Sequence, residues 1–274
     1  MTGAALAVLV LGGAAAVGAA PGGAPHPGAV APADPFATSA MKRYLAGRGG
    51  NIAAAVYDVA PGVTYIYHPG VAVQSASIAK VDILAALLAQ TQADGGLSAG
   101  EQALAVGMIE ESDNDDAQDL FEDEGELPAL AKLNARLGMT QTTLNWSWGL
   151  SYTTPRDQLL LLRYIVFANG VLSSRSRGYE LGLMEHVESG ENWGVSAGPA
   201  GRAVVALKDG WDPVGGTWDV NSIGMVKGDG RFYLIAVLTS EPEEAYGIAT
   251  IEGISRLVWR ELAARAGPST PARD

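Results

Sequence analysis

The spacing of apolar residues in this chain changes twice, and the order of those changes limits the folds open to it. Residues 51–59 and 63–68 are rich in Val, Ile, Tyr and Ala and are split by Ala60-Pro61-Gly62, which predicts a β-hairpin. From 77 to 90 the spacing becomes helical, carried by Ile78, Val81, Ile83, Leu84, Leu87 and Leu88. Helical patterns continue over 101–111, 115–124, 127–137, 155–168 and 176–188. Gly138 and Asn169-Gly170 close two of them, and Thr154-Pro155 opens one. Strand spacing returns at 203–207, 218–226 and 231–239, with Gly228-Asp229-Gly230 as the last turn. Helices over 35–46 and 241–266 bracket the whole. Strands from both ends can then share one sheet, while the middle forms a helical lobe. The expected class is α+β, with a site in the cleft between lobes.

Residues 4–20 form an Ala/Val/Leu/Gly run without a charge, and Val17-Gly18-Ala19 suits cleavage, so 1–20 read as a secretory signal. The first basic residue is Lys42, which departs from the usual basic start of such signals. The run is short and Gly-rich for a membrane span, and no other long apolar stretch follows. A secreted protein with no stable span is expected. A Pro/Gly/Ala linker over 21–34, a domain over 35–267 and a tail over 268–274 complete the division. The net charge of -12 repels phosphate backbones, so nucleic acid is not an expected partner. The absence of cysteine excludes disulfides, thiolate metal sites and cysteine nucleophiles. His26 lies in the linker, and His68 and His186 lack metal-ligand spacing, so all three read as structural.

Three short motifs follow in order. Ser77-Ile78-Ala79-Lys80 opens a predicted helix, and i, i+3 spacing puts hydroxyl and amine on one face. A serine needs an adjacent base to become nucleophilic, and a lysine with a lowered pKa can serve. Free amides at a helix start also favour a developing oxyanion. Ser112-Asp113-Asn114 follows the 101–111 helix, and Lys208-Asp209-Gly210, with Trp211 next, ends a predicted strand. Singly, each reads as well as a cap, a helix break or a strand end.

Together and in this order they resemble the S-x-x-K, S-D-N and K-T-G signature of class A β-lactamases and related penicillin-binding serine enzymes. The segment around Ser112, the helix opening Thr153-Thr154-Pro155 and the strand after Gly216-Thr217 are also similar to that family. The resemblance implies an antiparallel five-stranded sheet flanked by helices. It implies that Ser77 is acylated with help from Lys80, that Ser112 relays a proton to the leaving group, and that Lys208 assists Ser112 and attracts a substrate carboxylate. Asn114 would hold Lys80 and a substrate amide. The amides of Ser77 and Trp211 would form an oxyanion hole, and Asp209 and Gly210 would line the substrate site. No metal or organic cofactor is implied, and the expected partner of a monomer is a small-molecule or peptide substrate.

Three departures qualify the resemblance. The loop 145–152 holds no carboxylate where class A enzymes carry the glutamate that activates the deacylating water, so slow deacylation is expected. Asp209 replaces the family's threonine, which should weaken penicillin recognition. About two helices fit between Lys80 and Ser112, so a reduced helical lobe and a more open cleft are expected. The alternative is a catalytically degenerate penicillin- or ligand-binding protein on the same fold.

Overall fold

The computed structural model describes residues 33–199 and 201–263. The expected signal segment, nearly all of the linker and the 268–274 tail lie outside the described residues. In chain order the elements are α1 Ser39–Ala46, β1 Asn51–Asp58, β2 Val63–Tyr67, β3 Val73–Gln74, α2 Ala79–Thr91, α3 Ala99–Glu110, α4 Asn114–Glu124 and α5 Glu126–Leu137. They continue as β4 Tyr152–Thr153, α6 Pro155–Val166, α7 Ser174–Glu185, β5 Val204–Val214, β6 Thr217–Gly228, β7 Arg231–Glu241 and α8 Glu244–Ala263. The fold is α+β. Its antiparallel five-stranded sheet runs β2-β1-β7-β6-β5, so strands from both ends of the chain do share it.

The sheet separates two cores, and strand alternation assigns residues to each. Along β7, Tyr233, Ile235 and Val237 face the layer of α1 and α8, while Leu234, Ala236 and Leu238 face the helical lobe. At the β6–β7 turn, Asp229 and Gly230 take φ of +48° and +76°, as a type I′ hairpin demands.

Three predicted boundaries move. The first helix splits at Thr38, whose hydroxyl accepts from Met41 N at 3.2 Å and starts α1 afresh. Glu241 ends β7 opposite Trp218 instead of opening the last helix. The larger change is β5, which continues past residue 207 through Lys208, Asp209 and Gly210 to Val214. The turn comes later, at Gly215-Gly216. An edge strand pairs on one side only, so it tolerates Pro213 and a polar run that reads as a turn.

Helix α2 is buried on every side from Ala79 to Leu88, packed among α3, α4, α5 and α7. Among the carboxyls buried in the lobe around it are Asp82, Glu124 and Glu180. Burial raises Asp82 to about 7 and Glu124 to about 10, and it lifts Glu180 well above the carboxylate range. The Asp82 charge raises both glutamates further. Each folded carboxyl keeps a proton that the unfolded chain releases near pH 4. The stability this confers is complete below that pH and is lost as pH rises through about 7 for Asp82 and about 10 for Glu124. With about 1.4 kcal/mol per pKa unit and roughly 2–4 °C per kcal/mol, the melting temperature should fall by at least ~5 °C from pH 5 to pH 9. Calorimetry of wild type and Asp82→Asn checks this. The variant should lose the Asp82 share of the fall below pH 7, leaving a shallower slope there from Glu124 and Glu180, and a melting temperature that rises with pH would contradict the argument.

Candidate active site

Ser77 is presented by a short, tightly held segment. Ser75 N donates to Ser151 O at 2.7 Å, and Asn221 Nδ2 donates to the carbonyls of Gln74 and Ser75 at 2.8 and 3.2 Å. Ala76 takes φ +47°, the left-handed region that non-glycine residues rarely adopt, and a one-turn 3-10 helix, Ala76–Ile78, leads into α2. The nucleophile candidate therefore lies just ahead of the α-helix predicted to begin with it. Ser77 is half-buried at the cleft surface, and Lys80, one turn on, is fully buried beneath it.

Ser112 falls between α3 and α4 with φ +58°, a second left-handed non-glycine residue at the site. Asp113, not Ser112 or Asn114, caps α4, its Oδ1 accepting from the amides of Asp115 and Asp116. That leaves Ser112 and Asn114 free to face Lys80.

Lys80 Nζ stands 2.6 Å from Ser112 O, 2.8 Å from Asn114 Oδ1, 3.1 Å from Ser77 Oγ and 3.2 Å from Ser112 Oγ. The two carbonyl oxygens can only accept. A neutral amine has two protons for them and one lone pair, which is left for a hydroxyl proton. Burial, then the Lys208 charge, lowers the Lys80 ammonium to about 7, against the opposing charges of Glu191 and Asp113. The geometry thus suits a base that is substantially neutral near pH 7.

Lys208 projects from β5 and is fully buried. Its Nζ donates to Ser112 Oγ at 3.0 Å and to Asp209 O at 3.1 Å, so Ser112 lies between the two lysines. Burial lowers the pKa of Lys208, partly offset by Asp209 and Glu191. The next residues alternate across the sheet. Gly210 faces the Ser77 segment so closely that a Cβ there would lie 2.6 Å from Ser77 N. Its role is to let the β5 edge approach Ser77.

Asp209 corrects an expectation. Its carboxylate lies on the α8 face opposite Ser222, where Oδ2 accepts from Trp193 N at 3.0 Å. The side chain is fully buried, and burial pushes its carboxyl well upward. It therefore faces away from the cleft and cannot meet a substrate there. Trp211 is half-buried, lines the cleft and packs on Trp193 with ring centroids 5.8 Å apart.

The cleft encloses about 610 Å³ and is walled on one side by the loop 145–152. Trp148 stands with its ring centroid 5.3 Å from Lys80 Nζ and donates Nε1–H to Gln118 Oε1 at 3.3 Å. Trp146 is 65% exposed at the rim. An aromatic face, not a carboxylate, thus borders Lys80 from this loop. Asp157, the next carboxylate along the chain, is turned inward to Gln141 N and Thr142 Oγ1. The carboxylates lining the cleft are Asp115 and Asp212, and Glu191 acts electrostatically on both lysines from the loop before β5. Neither Asp212 nor Glu191 belongs to a motif, and nothing local in the sequence marks them. His68 and His186 each bond a backbone carbonyl, those of Ile52 and Gly182. His26 lies outside the described residues.

Residues 96–262, more than half of the chain, match the beta-lactamase enzyme family. The chain belongs to the beta-lactamase enzyme family. The matched stretch holds Ser112, Asn114 and Lys208 but begins after Ser77 and Lys80, so the candidate pair of this beta-lactamase family member rests on its geometry. Solved structures of similar fold include a class A beta-lactamase from Bacteroides cellulosilyticus (TM-score 0.73, 19% identity, 85% of this chain and 99% of that one). They also include a beta-lactamase from Burkholderia phymatum (0.70, 20%, 82% and 98%). A class A beta-lactamase from Mycobacterium abscessus is similar as well (0.69, 21%, 80% and 96%). At these identities the likeness is one of fold. Curated proteins give no match.

Proposed function

We propose that this beta-lactamase family member is an exported acyl-serine hydrolase acting on a β-lactam, peptide or ester through Ser77. The observation that carries this reading is the setting of Lys80, a buried amine whose two carbonyl acceptors leave its lone pair for the Ser77 hydroxyl 3.1 Å away. Ser77 Oγ attacks the substrate carbonyl carbon, and its proton passes to Lys80. The oxyanion is received by backbone amides at Ser77 and Trp211. As the tetrahedral adduct collapses, the leaving nitrogen or oxygen takes a proton from Ser112 Oγ, and Lys80 passes the Ser77 proton on to Ser112 Oγ, so that both return to their starting states while Lys208 also reaches Ser112. The product is an ester on Ser77, and water then releases the acid and restores the hydroxyl. Asn114 holds Lys80 in place and offers its amide to the substrate.

Intact-protein mass spectrometry after incubation with penicillins, D-Ala-D-Ala peptides and simple esters tests this. At least one class should add its acyl mass, and peptide mapping should place it on Ser77. Label confined to another residue, or no acyl adduct and no hydrolysis from any class, would refute the proposal.

A further inference from the structure

A carboxylate outside the three motifs stands near both lysines of the site. After α7 the chain returns along α3, where Glu188 N donates to Glu110 O at 3.0 Å and Glu191 N to Glu188 O at 3.0 Å. Two residues on, Trp193 N is fixed to the Asp209 carboxylate of β5. Glu191 is thus pinned between the helical lobe and the sheet, on the path joining the C-terminal end of α3 to the β5 edge. It is half-buried, and its Oε2 is enclosed without a hydrogen-bond partner. No ion pair joins it to a lysine among the described residues. Burial raises its carboxyl, the Lys208 and Lys80 charges hold it down against that, and its own charge in turn raises both lysines.

The other acids near these lysines are already committed. Asp113 caps α4, and Asp209 faces the far side of the sheet. Glu191 is therefore the carboxylate left to act on the two lysines beside the cleft. Asp115 and Asp212 add negative charge along the cleft itself.

We infer that Glu191 is a specificity-determining residue that occupies, with its own charge, the place where the two lysines would otherwise attract an anionic ligand, so that the cleft prefers acyl donors with a neutral or cationic group beside the scissile bond. This rests on the acyl-serine reading for its chemistry, but not for its electrostatics. A substrate carboxylate entering beside Lys208 meets the half-buried like charge of Glu191, and such juxtapositions are a recognised source of rejection. A neutral amide, an ester or an amine escapes that repulsion.

The test compares benzylpenicillin with its methyl ester, which differ in the one carboxylate. Binding is measured on Ser77→Ala protein, where no acylation follows, with Glu191 intact and as Glu191→Gln. The Gln variant should bind the free acid at least about tenfold more tightly while the ester changes less than about twofold, and Glu191→Asp should keep the wild-type ratio. On protein with Ser77 intact, the acid limb of acylation should move to lower pH in Glu191→Gln. Lys80 there loses an opposing charge and keeps Lys208 and Asp113 as its remaining charged neighbours, while Glu191 itself faces Lys208, Lys80 and Glu188. Equal shifts for the two ligands, or no shift for either, would overturn the assignment. Failure of Ser77 to acylate, with the binding difference present, would instead count against the hydrolase reading and leave the Glu191 assignment standing.

Discussion

Ser77→Ala should lose covalent labelling by β-lactams, activated esters and fluorophosphonates entirely, and Lys80→Met should slow labelling of Ser77 by about 10²–10⁴-fold. The first follows because, among the described residues, Ser77 is the hydroxyl that combines the cleft surface with a base beneath it. Ser112 shares the lysines, but its oxygen lies between two amines, where it can pass a proton along. The second follows from Lys80 being the group within 3.1 Å that can take the Ser77 proton. Methionine keeps the length and burial of the stem and removes the charge, so the variant should fold. The pH profile separates a base from a mere neighbour. Wild-type acylation should rise as pH passes about 7, where Lys80 becomes neutral, and that limb should be absent in Lys80→Met. Stopped-flow labelling across pH 5–9 reads both effects. A Met variant that labels at the wild-type rate would remove Lys80 from the mechanism.

The second large effect concerns release. Acylation has a candidate for each part it needs, but hydrolysis of the Ser77 ester needs a further group to position and deprotonate water. The loop 145–152 brings Trp148 to the lysine instead, and Asp209 is on the wrong face of the sheet. A positioned base typically contributes about 10²–10⁴-fold, so deacylation should lag acylation by a comparable factor and the acyl-enzyme should accumulate. Stopped-flow acylation followed by a chase, with the adduct timed by mass spectrometry, measures the two steps separately. Rapid multiple turnover without an accumulating adduct would reveal another base, with Asp115 and Asp212 the cleft carboxylates to replace first. Asp209→Thr should leave release unchanged, since its carboxylate does not reach the cleft.

Much of this architecture was legible because its signals are local. A change of apolar spacing marks strands and helices directly, and i, i+3 spacing alone brings Ser77 and Lys80 to one face. What escaped depends on contacts between distant segments. Asp82, Glu124 and Glu180 look like the polar faces of surface helices, and only the packing of α2 among four neighbours buries them. The strand through Lys208 looked finished at Leu207 because its later residues are polar, yet pairing with β6 carries it to Val214. That extension also decides where Asp209 points, since alternation counts from the strand and not from the motif. Glu191 sits in a Gly- and Asn-containing loop with no periodicity, and its meaning comes from Glu110 on one side and Asp209 on the other.

The left-handed backbone at Ala76 and Ser112 has a consequence for anyone who evolves this protein toward heat resistance. Each such residue costs of order 1 kcal/mol or more, and glycine at either position would relieve it. At residue 112 the relief deletes the hydroxyl between the two lysines, and at residue 76 it loosens the turn that aims Ser77. A screen scored on survival of the fold alone would therefore enrich variants that are hardier and less reactive. Libraries for this scaffold should hold these two codons fixed and seek their gains elsewhere.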